Sequence, residues 1–133
     1  MASRNLFNQT LHDRVIQVAS DQLDRTNHDV YINPSSQHNA WIGDNYPDII
    51  MTKKGNMIPE FIIEVETAES VNIIEATNQW KKYAAEIKAS FYLLVPLSHK
   101  NEAINLCKQI GISARFGTFQ TDNFGNVMNI SYE

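Results

Sequence analysis

Three carboxylates set into two apolar runs are the residues here best placed to do chemistry: Asp48 at the mouth of "PDIIMT", and Glu64 and Glu66 inside "EFIIEVET". Side chains alternate faces along a strand, so Ile62, Glu64 and Glu66 share one face while Phe61, Ile63 and Val65 share the other. The separation of Asp48 from Glu64 is what two short strands and a small turn require, and a hairpin would bring Asp48 onto the glutamates' face. Grouped carboxylates repel, and a buried, unpaired charge either costs several kcal/mol or takes up a proton. A hard divalent cation relieves both problems, because Mg²⁺ accepts a few carboxylate oxygens and completes its shell with water and phosphate. The competing reading is plain: glutamates on the solvent face of an edge strand discourage aggregation and bind nothing.

For the carboxylates to meet, strands must fall in the right places, and hydrophobic periodicity predicts that they do. Leu11, Val15, Val18, Ala19 and Leu23 recur at three- and four-residue steps, predicting a helix from about Leu6 to Leu23 capped by Asn5 or Asn8. "HDVYIN" alternates and stops at Pro34, as a short strand would. "PSSQHNAWIGDNY" reads as a loop displaying His38 and Trp41. The strands "PDIIMT" and "EFIIEVET" are joined through "KKGN", whose Gly-Asn suits a tight hairpin turn. A helical pattern runs from about Glu69 to Lys88, followed by "SFYLLVP", a continuous apolar run suited to a central strand buried on both faces. A helix from about Lys100 to Gln109 stops at Gly111. "ISARFGTFQ" and "NVMNISY" close the chain as strands around "TDNFGN". The order α-β-β-β-α-β-α-β-β predicts a mixed, three-layer α/β plan in which a hairpin meander feeds a crossover helix.

Composition limits what such a fold could serve. At 133 residues with 43% hydrophobic content, the chain has the size and apolar fraction of one domain spanning residues 1–133. No apolar stretch approaches a membrane span, and "MASRNLFNQT" lacks the charged-then-apolar order of a secretory signal, so the expected location is cytoplasmic, away from membranes. Cys107 is the lone cysteine, which excludes an intrachain disulfide and suggests a buried helical position. The formal net charge of −4 excludes a globally basic nucleic-acid binder, so any polyanion must meet a local basic patch or a metal. His12, His28, His38 and His99 show no paired zinc-ligand spacing. The sequence has no glycine-rich phosphate loop, G-x-S-x-G nucleophile turn or serine triad.

Pro47-Asp48, then Glu64-Val65-Glu66, then Gln79-Trp80-Lys81-Lys82-Tyr83 together resemble the PD-(D/E)XK nuclease superfamily, which has the restriction-endonuclease-like fold. The last group looks like the Q-x-x-x-Y helix signature of the RecB-like and lambda-exonuclease-like branch. The resemblance covers roughly Asn5 to Pro96 and implies an α/β/α core of order α-β-β-β-α-β. It implies Asp48 and Glu64 as ligands of Mg²⁺ or Mn²⁺, the Val65 carbonyl as a further ligand, and Gln79 with Tyr83 as support for the site or a nearby phosphate. It also implies a nucleic-acid substrate, DNA ahead of RNA, and homodimers are common among compact relatives.

One departure matters: the family's usual lysine falls at Glu66. That lysine is usually credited with orienting the attacking water and stabilising developing charge, which a carboxylate does not reproduce; some members with glutamate there remain active by using it as a base or a second metal ligand. Others supply a lysine from the following helix. With about 100° per residue, Ile73, Ala76, Trp80, Ala84 and Ile87 form an apolar stripe, Gln79 and Tyr83 lie along one margin, Lys82 projects near that margin and Lys81 points to solvent. Lys82 is therefore the candidate relocated cation, against the plainer reading of a solvated lysine paired with Glu86 or Glu75. The expected function is hydrolysis of phosphodiesters by a metal-activated water, with Asp48, Glu64, Glu66 and Lys82 as the catalytic group. The alternatives are a nuclease-like domain that has lost catalysis and serves binding or assembly, and an unrelated α/β protein.

Overall fold

A computed structural model describes residues 6–35 and 37–133, so the proposed cap Asn5 lies outside the described residues, and Asn8 falls within the first helix rather than at its end. The elements are α1 (Leu6–Asp21), β1 (His28–Ile32), β2 (Ile49–Lys53) and β3 (Pro59–Val65), then a 3₁₀ turn (Ala68–Ser70) and a long helix α2. α2 is continuous through three segments, Ile73–Glu75, a π-helical turn Ala76–Trp80, and Lys81–Glu86. β4 (Ser90–Pro96), α3 (Lys100–Ile110), β5 (Arg115–Thr121) and β6 (Val127–Tyr132) complete the chain. The strands form one six-stranded mixed sheet in chain order, antiparallel from β1 to β3, parallel from β3 through β5, and antiparallel again at β6.

The alternation of side chains divides the core between the two sheet faces. Ile50, Ile62, Leu93 and Val95 pack with Ala76, Trp80, Tyr83 and Ile87 of α2 and with Ala103 and Cys107 of α3. On the other face Ile49, Ile63, Val65 and Leu94 pack with Val15, Ile16 and Ala19 of α1. β4 lies between two parallel neighbours with Leu93, Leu94 and Val95 fully buried, as its unbroken apolar run predicts. α3 ends at Gly111, whose φ of 74° accommodates the left-handed cap. Cys107 is buried in that helix, and burial pushes its thiol up to about 11, which makes it inert.

Two expectations need correction. "KKGN" does form a turn, with the Asn56 amide donating to the Lys53 carbonyl at 2.9 Å and Gly55 at a φ of 74°, but the β2–β3 connection runs on through Ile58 before Pro59 opens β3 without a ladder donor, and the register shifts between Met51 and Thr52. The helix predicted from Glu69 begins only at Ile73, where the Asn72 side chain accepts a hydrogen bond from the Glu75 amide at 2.9 Å. Within it, Ile73 is 41% exposed, and the buried line instead passes through Ala76, Trp80, Tyr83 and Ile87. Ala76, Trp80, Tyr83 and Ile87 stand four, three and four residues apart, so at about 100° per residue they fall within about 60° of one another, with Tyr83 on the stripe rather than at its margin, while Ile73 stands exposed in the first turn. Among the described residues no helix is long and apolar enough to cross a membrane.

Candidate active site

β3 is a central strand covered on both faces at its C-terminal end, so Glu64 and the following Glu66 have no solvent face to occupy. Glu64 is 3% exposed and Glu66 is fully buried, which removes the edge-strand reading of these charges. Asp48 sits one residue before β2, beside the end of β3, and two reciprocal hydrogen bonds lock the pair. The Asp48 amide donates to Glu64 Oε1 at 2.9 Å, and the Val65 amide donates to Asp48 Oδ2 at 2.8 Å. Among the described residues neither carboxylate pairs with a lysine or arginine, and no hydrogen bond reaches Asp48 Oδ1 or Glu64 Oε2. Burial, followed by the charges of Asp48, Glu66 and Glu75, holds the Glu64 carboxyl well above the usual carboxylate range. These acidic groups feel one another strongly, yet among the described residues no three of His, Cys, Asp or Glu are arranged as a ready ligand cluster.

A residue not singled out from the sequence holds Asp48 from the opposite sheet face. His12 of α1 is 1% exposed, and its Nε2 lies 3.0 Å from Asp48 Oδ2. A carboxylate oxygen only accepts, so Nε2 carries the hydrogen. Its Nδ1 lies 3.2 Å from Asp13 Oδ1. Asp13 in turn accepts from the Ser35 amide at 2.8 Å and from the Ser35 hydroxyl, bracing the loop that leads to Asp48. Burial works against the Asp13 charge, but the bonds from Ser35, His12 and Gln9 outweigh it and keep that carboxyl below its usual value. The readable signal was position: His12 stands four residues before Ile16 on the buried stripe that continues to Ala19. His12→Leu keeps the bulk and removes the donor, leaving Asp48 with the Val65 amide; a loss of about 1–3 kcal/mol is expected, measured as a lower denaturant midpoint.

Glu66 is committed elsewhere. Trp80 Nε1 donates to its Oε1 at 3.0 Å and the Ser70 hydroxyl donates to its Oε2, tying the end of β3 to the 3₁₀ turn and α2. Of the three carboxylates only Asp48 lines the nearby cavity; neither Glu64 nor Glu66 does.

That cavity, of about 540 Å³, is walled by Asp48 on one side, by Glu75, Gln79, Lys82 and Tyr83 of α2 on another, and by the loop between β1 and β2. Gln79 Nε2 donates to Tyr83 Oη at 3.2 Å, one turn apart along the helix. Burial, then the Glu64 and Asp48 charges, push the Tyr83 phenol far up, so it stays protonated and available as a donor. Lys82 reaches the cavity wall, 38% exposed, with its Nζ 3.5 Å from Asp44 Oδ1, so its partner is neither Glu86 nor Glu75. Lys81 is exposed and does not line the cavity, nor does Trp41, which is 63% exposed. Asp44 and Glu75 are acidic wall residues not named as site residues from the sequence, although Glu75 stands four residues before Gln79 on the same helix.

Comparison with known proteins adds no family: no family model, curated protein or solved structure matches the chain significantly.

Proposed function

We propose that the chain is a metal-dependent nuclease of the PD-(D/E)XK type, with the three-layer restriction-endonuclease-like core, hydrolysing phosphodiester bonds in nucleic acid, DNA ahead of RNA. The observation that carries the reading is the Asp48–Glu64 pair, buried, interlocked by hydrogen bonds and without a lysine or arginine partner among the described residues, with Asp48 in the wall of a cavity that also holds Lys82 and Glu64 behind it, one hydrogen bond away. The strained protonation of Glu64 is the test of fit, because a buried carboxyl raised by like charges gains most from a cation in their midst.

Asp48 and Glu64, with the Val65 carbonyl, would hold Mg²⁺ or Mn²⁺. When bound, such a cation neutralises phosphate charge and lowers the pKa of water toward that of a nucleophile. The chain's own part is positioning. His12 and the Val65 amide secure one oxygen of Asp48, which directs Oδ1 to serve as the ligand atom. The Asp48 amide does the same for Oε1 of Glu64. Burial and like charges raise the Glu64 carboxyl, and a cation beside it would favour the ionised form, so uptake would release protons wherever Glu64 holds one. Lys82 stands where it would offset the negative charge that builds on the phosphoryl oxygens during in-line displacement, after exchanging Asp44 for the substrate. Gln79 and Tyr83 supply neutral donors along the same wall.

The deciding experiment is cleavage of single- and double-stranded DNA with Mg²⁺ or Mn²⁺, alongside calorimetric titration of the cations. Metal-dependent cleavage that falls by at least about 100-fold in Asp48→Asn is expected, since a lost ligand should cost no less than a lost outer-shell partner. Cleavage untouched by that substitution would remove the assigned roles. One observation favours a second reading, a nuclease-like module that binds without cutting: Glu66, at the position of the family's lysine, is bound to Ser70 and Trp80. Failure to bind either cation at millimolar concentration would select it.

A further inference from the structure

The loop between β1 and β2, residues 33–48, is long for a compact domain, and it is braced rather than slack. Asn33, 3% exposed, donates through Nδ2 to the carbonyls of Ala40 and Pro47, both at 2.8 Å, and accepts at Oδ1 from the Ala40 amide at 2.9 Å. Ser35 holds a left-handed φ of 53°, fixed by its two bonds to Asp13. What the bracing presents is an aromatic pair. His38 and Tyr46 stack with ring centroids 3.7 Å apart and planes 15° from parallel. Both line the cavity, both are solvent-exposed, and neither joins either hydrophobic core. Tyr46 is joined to Asp48 through Pro47 alone, so the two Cα atoms lie no more than about 7 Å apart.

The charges around it argue against a duplex. Duplex binders gain affinity by neutralising several phosphates, yet among the described residues the cavity wall has one lysine, Lys82, alongside Asp44, Asp48 and Glu75. Stacking is the alternative source of affinity for a strand whose bases are unpaired. Beside the stack, Asn45 is 4% exposed and lines the same cavity. Its Nδ2 donates to Glu86 Oε1 at 3.2 Å, which fixes the amide's orientation and leaves Oδ1 buried with no hydrogen-bond partner among the described residues. Such an orphan acceptor suits the N–H groups along a base edge.

We propose that Tyr46, backed by His38, is the docking platform for one unpaired nucleobase, with Asn45 Oδ1 accepting from that base, so that the substrate is single-stranded nucleic acid or a frayed strand end. This rests on the proposed action of Asp48 and Glu64 on phosphodiesters. The test is binding of a labelled oligothymidylate to the full chain in Ca²⁺, monitored by fluorescence anisotropy, beside a blunt duplex and a strand of abasic sites. Tyr46→Ala is expected to weaken oligothymidylate binding by about ten-fold or more, while Tyr46→Phe keeps the ring and the affinity. Phe124→Ala, an exposed aromatic outside the cavity, should leave binding unchanged. The abasic strand should bind weakly to the unsubstituted protein and no worse to Tyr46→Ala. Equal binding by Tyr46→Ala and the unsubstituted chain, a duplex held as tightly as the single strand, or no oligothymidylate binding at all would overturn the proposal. If metal-dependent cleavage is present but indifferent to Tyr46→Ala, the platform fails and the nuclease reading stands. If Tyr46-dependent binding occurs without cleavage, the platform stands and the hydrolytic reading falls.

Discussion

Glu64→Gln is expected to stabilise the metal-free protein by about 1–3 kcal/mol while abolishing divalent-cation binding and cleavage. Glu64 lies in the sheet interior with Asp48, Glu66 and Glu75 acting on it, and burial is the first cause of its raised pKa. Glutamine fills nearly the same volume and keeps a carbonyl oxygen for the Asp48 amide, so the existing hydrogen bond survives while the charge conflict is removed. The direction of the shift sets the sign with pH. Folded Glu64 keeps its proton above the ordinary value of 4.5, where the unfolded chain has begun to release it, so this group's contribution to stability falls as pH rises from there toward the raised folded value. One such group contributes at most about 1.4 kcal/mol per pH unit. Asp13, Asp24, Asp29 and Asp122 are shifted down and act in the opposite sense at low pH, so the readout is the difference between the two proteins' unfolding curves from pH 4 to 8. That difference should widen with pH in EDTA and shrink when Mn²⁺ is added. A less stable glutamine variant, or one that still binds Mn²⁺ as the parent does, would show that Glu64 is a structural acceptor and no ligand.

Glu66→Lys, which restores the residue type the family resemblance implies, is expected to damage the fold without raising activity. Two donors, Trp80 Nε1 and the Ser70 hydroxyl, end on this fully buried carboxylate, and an ammonium accepts from neither. The lysine charge would also be desolvated among groups that had been arranged for a negative one. Breaking a buried charged contact in this way costs about 3–5 kcal/mol, a large part of a small domain's stability. Glu66→Gln retains an acceptor for Trp80 and should lose much less. Thermal unfolding and the DNA-cleavage assay, run together on both variants, separate the outcomes. A well-folded Glu66→Lys protein with faster cleavage than its parent would mean that position 66 reaches the phosphate, contrary to the geometry found.

The strands, their order and the meeting of Asp48 with Glu64 were legible because each arises from local periodicity. An alternating run has only two faces, and a hairpin leaves few registers. Where prediction missed, a helix boundary or a nonlocal contact had taken over. Ile73 sits on the predicted apolar stripe of α2, but the helix only begins there, after the Asn72 cap, and the buried stripe runs through Ala76, Trp80, Tyr83 and Ile87. His12 looked like any of four unpaired histidines until α1 packed across the sheet end and set its ring against Asp48. Lys82 was placed by helical geometry near the site, but its partner Asp44 comes from the loop.

The sequence by itself determined that Glu64 and Glu66 share one face of their strand, since side chains alternate, and it left open whether that face met solvent or the interior. It determined equally that a chain of net charge −4 has little general attraction for a polyanion. Only the tertiary structure decided which of those charges stay available. Glu64 was left with one oxygen bonded to the amide of Asp48, which itself lines the cavity, whereas Glu66, two residues on, was consumed by Trp80 and Ser70. The physical reason is that periodicity sets the direction of a side chain, but its hydrogen-bond partners arrive from helices far along the chain. No local pattern encodes how those helices settle on the sheet.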